Sequence, residues 1–89
     1  MSWSEILYEE LDKFQFCIYS HGEYVELNGF EDMELIVEIP KEKTMPINFY
    51  QMELFLKNID PYDRVTKFQK FLKKRGIAYK THIWQRPLT

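Results

Sequence analysis

A single cysteine, Cys17, and only two histidines, His21 and His82, leave this 89-residue chain little from which to build a disulfide, a metal centre or a nucleophilic site. One cysteine cannot close an intrachain bridge, and it cannot supply the paired thiolates of a zinc site. A lone thiol fits a reducing compartment. The segment around it, Phe14 to Tyr19, reads as a half-buried strand in which Cys17 acts as a small hydrophobe. The histidines stand in no H-x-x-x-H or H-E-x-x-H spacing, and there is no acid-rich calcium loop or glycine-rich phosphate loop. No serine or cysteine lies in a nucleophile motif. The sequence therefore offers no catalytic residue, no cofactor-binding residue and no metal ligand, and it reads as a non-enzyme.

Glycine and proline are also scarce, at 3 and 4 residues, which argues against a disordered or loop-only chain. No apolar run approaches the ~20 residues that span a bilayer. The N-terminal stretch carries Glu5, Glu9, Glu10 and Asp12, where a secretory signal would be basic and then continuously apolar. These features place the expected location in the cytoplasm, with no membrane partner.

What the chain does have is aromatic surface. Hydrophobic residues make up 45% and aromatics 17%, enough for a core without covalent staples at this length. The charges are divided along the chain. Residues 1–45 carry a net −8 and residues 46–89 a net +6. Such asymmetry bears on partners rather than on fold.

The hydrophobic spacing predicts one small α+β domain over residues 1–89. Ser2 and Glu5 have capping-box spacing, and Trp3, Ile6, Leu7, Leu11 and Phe14 recur at helical intervals, which predicts an opening helix. The period then changes to two. Phe14 to Tyr19 predicts a strand, Tyr24 to Leu27 a second, and Met33 to Ile39 a third, with Asn28-Gly29 as the turn between the latter two. Residues 48–57 admit two readings. Tyr50, Met52, Leu54 and Leu56 alternate as in a strand, which is the preferred reading. Alternatively, Thr44 and Pro46 begin a helix with Ile47, Tyr50 and Leu54 inward. Asp60-Pro61 predicts a helix start, followed by a buried stripe of Val65, Phe68 and Leu72 with Phe71 beside it. Lys73, Lys74 and Arg75 then suit the helix dipole, and Gly76 suits the cap. Ile77 to Trp84 alternates as a last strand, with residues 86–89 as a tail. The expected architecture is an antiparallel-dominated sheet of four to five strands with two helices, in the order α-β-β-β-(β)-α-β. A strand at 48–57 would close it with a right-handed β-α-β unit.

Three surfaces stand out. Lys80, His82 and Trp84 share one face of the last strand, with Arg86 just beyond; Trp and Arg are typical anchors of protein interfaces. The alternative is that Trp84 closes the core near Trp3. Lys67, Lys70 and Lys74 lie opposite the buried stripe of the second helix and form a possible nucleic-acid-binding stripe, or simply its solvated side. Glu26, Glu34 and Glu38 line an acidic strand face, which could meet a basic partner or guard the sheet against aggregation. The sequence thus points to a small regulatory protein that binds another protein through a sheet face or its terminal strand. The alternative is a nucleic-acid-binding protein using the basic half, and a homodimer is a third possibility.

Overall fold

The computed structural model describes residues 2–21, 29–60 and 63–87. Four antiparallel strands form one sheet: β1 (Ser2–Glu9), β2 (Lys13–His21), β3 (Phe30–Pro40) and β4 (Lys80–Pro87), in spatial order β1-β2-β3-β4. Two helices, α1 (Phe49–Lys57) and α2 (Arg64–Lys74), lie between β3 and β4 in the chain. The architecture is thus α+β in the order β-β-β-α-α-β.

The expected opening helix is a strand. Residues 2–9 run antiparallel to β2 with Leu7 opposite Phe16, and the Glu10 N–H donates to the Lys13 carbonyl at 2.8 Å to close the turn. Hairpin pairing with the adjacent β2 outweighs the helical spacing, and Ile6-Leu7-Tyr8 suits a pleated surface. The cost is visible at Leu11, which the helical stripe would have buried. It sits in the turn, 97% exposed.

β3 keeps its alternation. Val37 and Ile39 are fully buried opposite Phe16 and Phe14 of β2. Gly29, just before β3, has φ +87, a conformation that favours glycine. The expected strand at Tyr24 to Leu27, and Asn28 of the proposed turn, lie outside the described residues.

Residues 48–57 take the helical reading. Asn48 caps α1 reciprocally with Gln51: the Gln51 N–H donates to Asn48 Oδ1 at 2.9 Å, and the Asn48 N–H donates to Gln51 Oε1 at 2.8 Å. This capping box satisfies two backbone donors that helix formation leaves open. The inward residues are Ile47, Met52 and Leu56, while Tyr50 and Leu54 point outward. The period-two pattern there combined buried and exposed positions of one helix.

α2 begins later than Asp60-Pro61. Its N-cap position is Asp63, whose side chain makes no capping hydrogen bond; Pro61 lies outside the described residues. The stripe packs as its spacing requires, with Phe68 and Leu72 fully buried and Val65 and Phe71 partly so. At the C-terminus the Ile77 N–H reaches the Leu72 carbonyl at 2.9 Å and the Gly76 N–H reaches that of Lys73 at 3.1 Å. This double closure requires a left-handed residue, and Gly76 supplies it at φ +69.

The last strand is shifted from 77–84 to Lys80–Pro87, and Arg86 belongs to the strand rather than to a tail. The shift follows from Ile77, which is held in the helix cap, and from Arg86, which pairs across to Asp32. Since α1 replaces the expected fourth strand and β4 runs antiparallel to β3, there is no parallel β-α-β crossover.

Both helices pack on one face of the sheet. Phe14, Phe16, Val37 and Ile39 meet Met52, Leu56, Phe68 and Leu72 there, and Phe16 meets Phe68 edge-on with ring centroids 5.5 Å apart. The helices have 9 and 11 residues, so they span about 14 and 17 Å. β3 has 11 residues and spans about 36 Å. The helices therefore cover one end of this face and leave the other uncovered.

Candidate functional site: the β4 edge and its two faces

β4 is an edge strand whose only strand partner among the described residues is β3, and all eight of its residues are exposed. Its outer side offers main-chain groups to an incoming strand. At the opposite edge, β1 is engaged differently: Leu7 packs against the core, and Glu5 forms an ion pair with Arg64 at the start of α2.

Strand alternation places Lys80, His82, Trp84 and Arg86 on the face away from the helices, as their spacing requires. The register sets them against β3: Lys80 opposite Glu38, His82 opposite Ile36, Trp84 opposite Glu34 and Arg86 opposite Asp32. The acidic face of β3 and the basic face of β4 are therefore one surface. Glu26, the remaining acid of that predicted face, lies outside the described residues.

Two of the four candidate residues are held within this surface. His82 Nε2 is 2.9 Å from Glu38 Oε2, and Lys13 approaches the other oxygen of Glu38 at 3.3 Å. These two partners, His82 first, hold the Glu38 carboxyl below its ordinary range. Arg86 donates to Asp32 Oδ2 at 2.5 Å and lies 3.2 Å from Glu31. Asp32 is buried despite its place on this face, and Tyr19 also donates to Oδ2 at 2.8 Å. That hydrogen bond is the main reason the Tyr19 hydroxyl titrates above its usual value, and the same carboxylate raises Arg86.

Lys80 makes no ion pair with any described residue, and Trp84 is 48% exposed. Trp84 is thus not part of the core, as the alternative reading near Trp3 would have required. Cys17 lies further across the same face, buried, with its Sγ 3.9 Å from the Tyr8 hydroxyl. Burial raises its thiol and, foremost, pushes the Tyr8 hydroxyl up to about 12, so neither group is activated.

The residue missed by sequence reasoning is Ile83. It points to the helix side but lies beyond the helices' reach, and it is 63% exposed. With Ile18, Met33 and Leu35 it lines a shallow apolar cavity of about 200 Å³. The available signal was length: two short helices cannot cover an 11-residue strand.

Among the described residues, no group of three His, Cys, Asp or Glu side chains is gathered as a metal site would require. No described helix is long and apolar enough to cross a membrane. No protein-family model matches the chain, and no match was found among curated proteins or solved structures.

Proposed function

We propose that this chain is a non-catalytic interaction protein that binds an extended segment of another protein along the outer edge of β4. The observation that carries the reading is that all eight residues of β4 are exposed at the sheet edge, with a large apolar side chain emerging on each face at Ile83 and Trp84.

The physics is that of strand addition. Main-chain hydrogen bonds along the edge supply affinity, and pockets for alternate side chains supply selectivity. A partner strand would place apolar residues beside Ile83 over the surface of Ile18, Met33 and Leu35. On the opposite face its side chains would meet Trp84 and the ammonium of Lys80, which favours an acidic or aromatic residue there. His82 and Arg86, bound to Glu38 and Asp32, would hold the edge rigid and leave less conformational entropy to be lost on binding.

The test is affinity capture with the wild-type protein, Trp84→Ala and Ile83→Lys, followed by titration of the purified captured protein. A charge at position 83 opposes edge pairing while staying in a largely exposed position. The reading expects one partner that both variants lose while their circular dichroism is unchanged. A partner retained by both variants would remove β4 from the interface. Sedimentation of the purified chain separates a second copy from a different protein as the occupant.

A further inference from the structure

The fold brings part of the divided charge together, but little of it reaches α2 beyond Arg64. Glu5 pairs with Arg64, Glu9 with Lys41, Glu38 with Lys13 and His82, and Asp32 with Arg86. Beyond Arg64 at its first position, only Lys67 of the α2 cations has an acid nearby among the described residues, Asp63 at 3.9 Å. Lys70, Lys73, Lys74 and the adjoining Arg75 form no ion pair with any described residue.

These cations border a groove. Lys67, Lys70, Lys74 and Arg75 line one side of an open cavity of about 390 Å³ between α1 and α2. Its apolar lining comes from Phe55, Ile59 and Phe71. Phe55 stacks on Phe71 with centroids 4.0 Å apart and planes at 27°, and the Arg75 guanidinium lies 3.8 Å from the Phe71 centroid. Guanidinium, ring and ring thus form a continuous stack at the edge of a basic surface.

We propose that this groove binds single-stranded nucleic acid, with backbone phosphates on Lys67, Lys70 and Lys74 and one base stacked on the outer face of the Arg75 guanidinium, which Phe71 supports from behind. The cations alone would suit any polyanion. The flat stack beside them favours a ligand that alternates phosphate with an exposed planar base, which a duplex does not present. The cavity's size falls within the ~300–1,000 Å³ typical of small-ligand sites. This surface is separate from the β4 edge, so its failure leaves the strand-addition reading untouched.

The experiment is fluorescence anisotropy with labelled single-stranded DNA and RNA about 12 nucleotides long, within the span a small single-strand-binding domain covers. A duplex of the same length and polyglutamate serve as competitors. Binding should weaken about 20- to 50-fold between 50 and 200 mM salt, as release of counterions from three to four phosphates requires. Lys70→Glu with Lys74→Glu should weaken it by about tenfold or more, while Lys43→Glu, away from the groove, should not. Phe71→Leu retains apolar volume but removes the ring that holds the Arg75 guanidinium flat, and should cost about fivefold or more. Relative affinity of the DNA and RNA strands identifies which of the two is preferred. No binding at 50 mM salt would overturn the proposal. So would equal loss with Lys43→Glu, or displacement by duplex or polyglutamate as effective as by single strands.

Discussion

Ile83 and Trp84 are neighbours in β4 yet emerge on opposite faces of the sheet, 63% and 48% exposed. Most strands of a small sheet turn at least one face into a core. β4 has a large apolar residue left over on both, because the helices stop short of Ile83 and nothing described covers Trp84. An edge strand in this state is open to pairing unless it is guarded. Lys80 and the proline at position 87 guard its two ends, while the centre stays open.

If Ile83 and Trp84 serve binding rather than folding, replacing them should scarcely affect stability. Exposed substitutions away from caps and cores usually shift stability within about ±0.5 kcal/mol. Trp84→Ala and Ile83→Lys are therefore expected to melt within a few degrees of wild type by circular dichroism. Both should weaken binding of the captured partner by about tenfold or more, as anchor residues do.

Phe68 should behave in the opposite way. It is fully buried at the junction of both helices and the sheet, edge-on to Phe16 and close to Phe55 and Phe71. Phe68→Ala removes that contact and leaves a cavity, a loss of about 3–5 kcal/mol. In a domain of this size that is a large part of the total stability. Urea denaturation should show a much lower midpoint or a protein unfolded in water.

Asn48→Ala distinguishes a helix from a strand at residues 49–57. The capping box with Gln51 exists only if α1 does, and its loss should cost about 1 kcal/mol. In a strand, the same change would have little effect. Urea denaturation of this variant beside Gln51→Ala measures both halves of the box.

Glu38 gives the fold a pH dependence with a definite sign. Its carboxyl is lowered by His82 and Lys13, so it binds a proton less readily folded than unfolded. Its contribution is therefore present above the unfolded carboxylate value of ~4.3 and is lost as the pH falls through the lower folded value. Glu38→Gln should be less stable than wild type at pH 7. The two proteins should converge in stability as the pH drops below about 4.

How far the sequence reveals this fold depends on whether the decisive contacts are local. The alternation of Met33, Leu35, Val37 and Ile39 and the stripe of Val65, Phe68 and Leu72 each describe one element against one core, and both are legible. So is Gly76, because a helix end needs a left-handed residue. β1 is not legible, since its apolar residues also fall at helical intervals and only their cross-strand pairing with β2, Leu7 opposite Phe16, makes it a strand. Residues 48–57 mislead for a different reason. Tyr50 and Leu54 are exposed apolar residues that happen to fall in step with the buried Met52 and Leu56.

The surface follows the same rule. That Lys80, His82 and Trp84 share a face follows from alternation alone, whereas Arg86, expected in a tail, joins them because the strand runs on to position 87. That His82 and Arg86 are already engaged by Glu38 and Asp32 depends on the β3–β4 register, which the intervening helices make a long-range property. The exposure of Ile83 likewise depends on where the helices end, which no local pattern reports.

The most direct test of the β4 reading is site-specific photo-crosslinking in cell extract, with a photoreactive phenylalanine analogue at Gln85, at Thr81 or at the exposed helix position Tyr50. Strand addition predicts a single shared adduct from positions 81 and 85, absent when Trp84→Ala is combined with either, and no such adduct from position 50. An adduct that forms at position 50 but not along β4, or that survives Trp84→Ala unchanged, would contradict the assignment of this edge as the binding surface.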